Sequence, residues 1–96
     1  MSAYVVAQIS IHDRARYDRY AAAFMPVLQQ YGGRLLAADE AVEVVQGAWG
    51  HDKLIVMAFE DRTAALRWAE SPEYREISKD RIAATDGVVL LAKGIG

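Results

Sequence analysis

The chain has 96 residues, which is the size of one domain spanning residues 1–96, and its formal net charge of −2 provides no basic surface for a nucleic acid. Cysteine is absent, which excludes disulfides, thiolate metal sites and a cysteine nucleophile. The first residues, MSAYVVAQIS, lack the basic start of a signal peptide, and no apolar stretch approaches the ~20 residues of a membrane span, so we expect a cytoplasmic protein without membrane contact.

The first predicted element is a strand from Tyr4 to Ile11, whose side chains alternate between two faces. One face is purely apolar, with Val5, Ala7 and Ile9, and we expect it to lie under the helices. The opposite face is mixed and consists of Tyr4, Val6, Gln8 and Ser10.

A helix is predicted next, with Asp13 as its N-cap and its end near Tyr31. Apolar and aromatic residues recur along it at helical spacing: Tyr17, Tyr20, Ala21, Phe24, Leu28 and Tyr31. Pro26 is expected to kink this helix or to end its regular first half. The pair Gly32-Gly33 predicts a stop, because glycine adopts the left-handed conformation after a helix at little cost.

The middle of the chain is predicted to form a hairpin. Arg34 to Ala38 is a short strand, and after a bend we expect Ala41 to Trp49 to form another strand or a bulged continuation. The segment Gly50-His51-Asp52 is expected to turn the chain into a strand from Lys53 to Glu60. That strand reads KLIVMAF and is apolar on both faces, so it needs cover on both sides.

Asp61 is expected to cap a second helix that contains Leu66 and Trp68. The segment Ser71-Pro72-Glu73 restarts that helix, with serine at the cap and proline at the first helical position, and the helix should end near Thr85.

The chain should close with a turn at Asp86-Gly87, a last strand from Val88 to Ala92 that is again apolar on both faces, and a loose tail marked by Gly94 and Gly96.

The predicted element order is βαββαβ, an α+β ferredoxin-like fold with an antiparallel four-stranded sheet and two helices on one face. Its core is expected to contain Val5, Ile9, Phe24, Leu28 and Leu66. Helices on one side leave the other side of the sheet bare, so we expect a homodimer that packs two sheets together as a dimeric α+β barrel. The alternative is a monomer with an exposed apolar sheet, which would be prone to aggregate.

Several short motifs are distributed over essentially the whole chain. They are Tyr4-Val5-Val6-Ala7, Asp13 with Tyr17 and Tyr20, Gly32-Gly33-Arg34, Gly47 with Trp49, Phe59, and Ala69-Glu70-Ser71-Pro72-Glu73-Tyr74 followed by Arg81. Together they resemble an uncharacterised bacterial family that is catalogued as a domain of unknown function. The resemblance implies membership of the dimeric α+β barrel superfamily, and the Ser-Pro-Glu-Tyr segment with the later arginine is its most specific part.

The chain departs from that family's usual pattern at two positions. Gln46 stands where the family usually has a glutamate, and Lys53 stands where it often has an arginine. If that glutamate is a general acid or base, this chain lacks it. The superfamily includes monooxygenases, isomerases and haem enzymes beside proteins without known activity, so the resemblance fixes no reaction.

Residues with obvious chemistry are few. His12 and His51 are expected in loops, where a single histidine is usually a solvated side chain. Their spacing from carboxylates matches no metal-binding pattern, and no phosphate-binding or nucleophile motif occurs, so we expect neither a metal nor a cofactor. Arg81 lies on the same helix face as Tyr74 and Ile77, and we expect it to be at least half buried with an acidic or backbone partner.

Polar residues that fall among apolar neighbours are the candidate ligand-binding residues, because a few polar groups in an apolar cavity are typical of small-molecule sites. These candidates are Gln8, Ser10, Tyr20, Arg34, Gln46, Trp49, Tyr74 and Arg81. The preferred hypothesis is a homodimer that binds a small molecule in a cleft at the sheet face, without catalytic machinery. The alternative is a cofactor-free isomerase or monooxygenase acting on a small carbonyl-bearing or aromatic metabolite, with a tyrosine or histidine transferring a proton.

Overall fold

The computed structural model describes residues 2–95 of the chain. Its elements, in chain order, are β1 (Ala3–Ile11), α1 (Arg14–Gln30), β2 (Arg34–Asp39), β3 (Lys53–Phe59), α2 (Arg62–Ala69), α3 (Pro72–Ala84) and β4 (Thr85–Lys93). The predicted second helix is therefore two helices, divided where the sequence places a serine cap before a proline. None of the helices in residues 2–95 combines the length and apolar character needed to cross a membrane.

The strands form one antiparallel sheet in the order β2-β3-β1-β4. The central strand β1 pairs with β3 on one side and β4 on the other, so that Val5 lies opposite both Met57 and Leu91. This topology confirms the predicted α+β ferredoxin-like fold.

The helices cover one face of the sheet, and the core lies between the two layers. Alternate residues of β1, from Ala3 to Ile9, are buried on this face as the sequence pattern predicts. Val5, Ile9, Phe24 and Leu28 are core residues, as expected. The prediction that Leu66 is a core residue is wrong, because its side chain is 39% exposed. Its neighbours Ala65 and Trp68 point inward, and each is only 1% exposed.

Each helix begins at the residue that the sequence identifies as its cap. In each case the capping side chain accepts a hydrogen bond from a backbone N–H of the first turn, which satisfies a donor that the helix leaves free. The pairs are Arg16 N to Asp13 Oδ1 at 3.2 Å, Ala64 N to Asp61 Oδ1 at 2.8 Å, and Tyr74 N to Ser71 Oγ at 3.1 Å.

The end of α1 also follows the sequence signal. Gly32 adopts a positive φ of 78° and donates to Gln29, while Gly33 donates to the carbonyl of Leu28 at 2.9 Å. These two bonds form a Schellman-type C-cap. The helix runs through Pro26 to Gln30, so the expectation that Pro26 ends its regular part is wrong.

The predicted strand from Ala41 to Trp49 does not form. Instead, β2 is the strand that pairs with β3. The partner strand is already used, because Arg34 to Asp39 pairs along β3 as far as Leu54. Asp39 then accepts a hydrogen bond from Ala41 N at 2.7 Å, which turns the chain away from the sheet. The segment 40–52 is consequently a connection without a strand.

The end of the chain needs two further corrections. Asp86 and Gly87 belong to β4, which starts at Thr85 immediately after α3, and they do not form a turn. Gly94 is buried and donates to Ser2 O at 2.8 Å, so it is not part of a loose tail. Gly96 lies outside the described residues.

Candidate functional site

Within residues 2–95, no helix covers the second face of the sheet. Here we call it the open face, and it consists of Tyr4, Val6, Gln8, Ser10, Leu54, Val56, Val88, Leu90 and Ala92. Val6 lies at its centre, opposite Val56 on one side and Leu90 on the other. Val88 and Leu90, on the edge strand β4, are 47% and 49% exposed.

A polar cluster occupies one end of the open face and consists of Gln8, Ser10, Trp49 and His51. The indole Nε1 of Trp49 donates to Gln8 Oε1 at 3.0 Å, and Ser10 Oγ shares a hydrogen bond with His51 Nδ1 at 3.1 Å. The Trp49 and His51 rings meet edge to face with their centroids 5.8 Å apart. All four side chains are partly buried, so each combines hydrogen-bonding capacity with contact to an apolar surface.

The segment 40–52 carries Trp49 and His51 to this position because its end is bound to β1. Asp52 N donates to Ile9 O at 2.8 Å, and the Asp52 carboxylate accepts from Ile11 N at 2.8 Å. Of the cluster, the sequence singled out Gln8, Ser10 and Trp49 but treated His51 as a solvated loop residue. Trp49 and His51 are two residues apart, a spacing that puts both side chains on one side of an extended chain, and this is the signal that the sequence offers for the pair.

Tyr20 and Tyr74 form a second group on the opposite side of the sheet, between α1 and α3. Their hydroxyls share a buried hydrogen bond of 2.9 Å, and Trp68 packs against Tyr74 at a tilt of 43° with ring centroids 4.1 Å apart. Burial raises the pKa of Tyr20 well above its ordinary value; neighbouring Tyr74 raises it further, while the Arg81 cation opposes the shift. Tyr20 therefore stays protonated at neutral pH, which argues against its use as a proton acceptor.

Arg81 is partly buried beside this group, in agreement with the expected burial. Its Nε is buried, yet within residues 2–95 it has no hydrogen-bond acceptor, and no carboxylate of these residues lies within ion-pair distance. The expected acidic or backbone partner of the side chain is therefore not found within residues 2–95. The acids of α1 and α3 pair elsewhere, since Asp80 accepts hydrogen bonds from Arg16 and Arg19.

The remaining candidates stand apart from both groups. Arg34 is exposed at the start of β2, opposite Ala58, and Gln46 lies in the exposed segment beside Val45, which is 92% exposed. The eight sequence candidates therefore separate into three residues of the polar cluster, three residues on the helix side, and two residues that lie apart from both groups. No group of three or more His, Asp or Glu residues in the described part of the chain could hold a metal ion.

Comparison with solved structures shows the same fold in several proteins. A protein of unknown function from Rhodopseudomonas palustris superposes with a TM-score of 0.82 at 18% identity, covering 99% of this chain and 83% of that chain. SnoaB, a cofactor-independent oxygenase from Streptomyces nogalater, gives 0.72 at 11% identity, covering 99% and 94%. A dimeric ferredoxin-like protein of unknown function from Jannaschia sp. CCS1 gives 0.65 at 16% identity, covering 96% of each chain.

At these identities the likeness establishes the fold alone. A search of curated proteins finds no match. Residues 2–95, essentially the whole chain, match the family described as a domain of unknown function, DUF1330. The chain belongs to the DUF1330 family.

Proposed function

We propose that the protein is a homodimer in which two open faces pack against each other, and that it binds a small molecule beside the polar cluster, between the two sheets. The observation that carries this proposal is the open face itself, an apolar surface in mid-sheet that ends in four converging polar side chains.

The dimer is supported by the cost of leaving this face in water. Burying apolar surface stabilises by about 25 cal/mol per Å², and an obligate interface of the ~2,000 Å² class resembles a domain core cut in half. In a dimer with a two-fold axis, the open face of each copy packs against the open face of the other. No open face is then left for a third copy to bind. The dimeric Jannaschia protein of the same fold is consistent with this arrangement.

The ligand site is supported by the chemistry of the polar cluster. Gln8, Ser10, Trp49 and His51 offer an amide, a hydroxyl, an indole and an imidazole at the end of an apolar floor. None of the four is an acid, a lysine or an arginine. The cluster therefore suits a small, uncharged molecule with an apolar body and one or two hydrogen-bonding groups, and the second copy would close the space above it.

Introducing a charge into the open face tests the dimer. Leu90→Asp is expected to give a monomer, because burying an unpaired carboxylate in the interface is costly. Light scattering at micromolar concentration should show twice the chain mass for the unsubstituted protein and the single chain mass for the variant. The unfolding midpoint of the unsubstituted protein should also rise with concentration.

Ile82→Asp is the matched control. Ile82 is an exposed aliphatic residue on α3, 64% exposed and away from the open face, so this variant should remain dimeric. A monomeric unsubstituted protein, or a Leu90→Asp variant that stays dimeric, would contradict the proposed interface.

Nuclear magnetic resonance tests the ligand site. Benzamide, an uncharged aromatic amide, is expected to shift the indole N–H signal of Trp49 and the side-chain amide signal of Gln8. Gln8→Leu should abolish the Trp49 shift, while Gln29→Leu, at an exposed position on α1, should leave it unchanged. A stable dimer whose Trp49 and Gln8 signals ignore benzamide would contradict this site while leaving the interface intact.

A further inference from the structure

We infer that the protein has a second, separate ligand site on the helix side of the sheet, specific for a small apolar acid and built around Lys53. A cavity of about 140 Å³ lies there between α1 and the pair β2–β3. It is lined by Tyr17, Tyr20, Ala21, Phe24, Met25, Leu35, Ala38, Lys53 and Ile55.

The walls of this cavity are almost entirely aromatic and aliphatic. Its volume is close to that of an engineered ~150 Å³ apolar cavity that stays dry and takes up benzene. A single six-membered ring or a branched aliphatic group of similar size therefore fits. The cavity reaches the surface through the exposed residues Ala21 and Ala38, which gives the ligand a path in.

Lys53 is the one residue of the lining that carries a charge. Its side chain is only 13% exposed, and its Nζ lies 4.9 Å from the centre of the Tyr17 ring. Register places Lys53 opposite Ile9, a buried residue of the helix-covered face, so the ammonium is on the cavity side of the sheet. An ammonium held in such a place needs acceptors for its three N–H donors.

The nearest carboxylate does not supply them. Glu40 Oε2 lies 3.8 Å from Lys53 Nζ, within ion-pair distance but beyond hydrogen-bond distance. Both Glu40 oxygens instead accept from the guanidinium of Arg14, at 2.6 and 2.9 Å. The Arg14 hydrogen bonds, with the charges of Arg14 and Lys53, hold the pKa of Glu40 below its usual range, so this carboxylate is ionised at neutral pH and makes its short hydrogen bonds to Arg14.

A ligand carboxylate beside Lys53 would supply hydrogen-bond acceptors for its ammonium. Its oxygens would accept from the ammonium, and its apolar body would fill the cavity against Phe24 and Ile55. A ligand ammonium would be repelled, and an alcohol would accept a hydrogen bond from the Lys53 ammonium without the opposite charge that a carboxylate adds. The site lies on the opposite side of the sheet from the polar cluster, so it goes beyond the proposed function and stands or fails independently of it.

Three ring compounds that differ in charge test the inference: benzoate, benzyl alcohol and benzylammonium, each titrated into the protein by nuclear magnetic resonance or calorimetry. Benzoate is expected to bind about tenfold more tightly than benzyl alcohol, because only its carboxylate carries a charge opposite to that of Lys53, and benzylammonium should not bind. Lys53→Met should remove the advantage of benzoate. Lys79→Met, at an exposed lysine of α3, should preserve it.

Filling the cavity gives a second, independent readout that does not depend on the Lys53 variant folding. Ala21→Leu should abolish binding of benzoate, whereas Ala22→Leu, at the next exposed position of α1 and outside the lining, should not. Absence of benzoate binding, equal affinity for benzoate and benzyl alcohol, or benzoate binding that survives Ala21→Leu would each overturn the site.

Discussion

Replacing Phe24 with alanine is expected to lower the free energy of unfolding by about 3–5 kcal/mol, the range for truncating a buried aromatic residue. Phe24 is only 8% exposed, and its ring packs 5.6 Å from that of Tyr20 and 6.3 Å, edge to face, from that of Trp68. These rings are too rigid to collapse into the space that the phenyl group leaves. Urea unfolding at one fixed protein concentration measures the loss.

Leu66→Ala is the control for this substitution, because it removes a similar apolar side chain from an exposed position of α2. It should cost no more than about 1 kcal/mol, well below the loss at a core site. A Phe24→Ala loss as small as that of Leu66→Ala would remove Phe24 from the core.

Replacing Gly87 with alanine is expected to destabilise the protein by about 2–6 kcal/mol, the sum of a strained backbone and an overpacked contact. Gly87 has a φ of 148° and lies opposite Ile9 in the β1–β4 ladder. A Cβ there would collide with the carbonyl oxygen of Gln8 and lie 2.9 Å from Ile9 Cα. Because backbone atoms cannot rotate away, the two strands would have to separate. Thermal unfolding measures the effect.

Two other glycines separate the contributions at Gly87. Gly47 has a φ of 90° but no atom within 4 Å of an added Cβ, so Gly47→Ala reports backbone strain alone. Gly50 has neither constraint, and Gly50→Ala should be nearly neutral. A Gly87→Ala variant no less stable than Gly47→Ala would show that the close approach of β1 and β4 contributes nothing.

The sequence predicts the fold well where the signal is local. The alternation along β1, the caps at Asp13, Asp61 and Ser71, and the glycine stop after α1 are each decided by residues within one or two turns, and the structure confirms them. The prediction that Leu66 lies in the core is wrong because adjacent helical residues point about 100° apart. An apolar helix face that is placed one residue off therefore assigns the wrong side chain to the core.

The strand predicted from Ala41 to Trp49 is wrong for a different reason. A strand needs a neighbour with free hydrogen-bonding groups, and β3 is already paired along its length by β2 on one side and β1 on the other. That competition depends on residues far apart in the chain, so local β-propensity could not reveal it.

The same distinction between local and long-range signals applies to the candidate site residues. Gln8 and Ser10 could be selected from sequence because they interrupt the apolar pattern of a strand. The position of His51 depends on how the segment 40–52 returns to β1, and the partners open to Arg81 within residues 2–95 depend on which acids other arginines occupy. In the sequence, Lys53 stands out only as a departure from the family pattern. Its position under α1 depends on the register of β3 with β1, which local sequence does not reveal.

The segment 40–52 joins two neighbouring strands, and Asp52 ties its end to β1. Half of the polar cluster comes from it, Trp49 and His51, whereas Gln8 and Ser10 belong to the sheet. Substitutions within the segment can change the chemistry offered to a ligand without altering any ladder hydrogen bond. Under the proposed function, exchange of this one contiguous stretch of chain is expected to change ligand selectivity while the sheet stays intact.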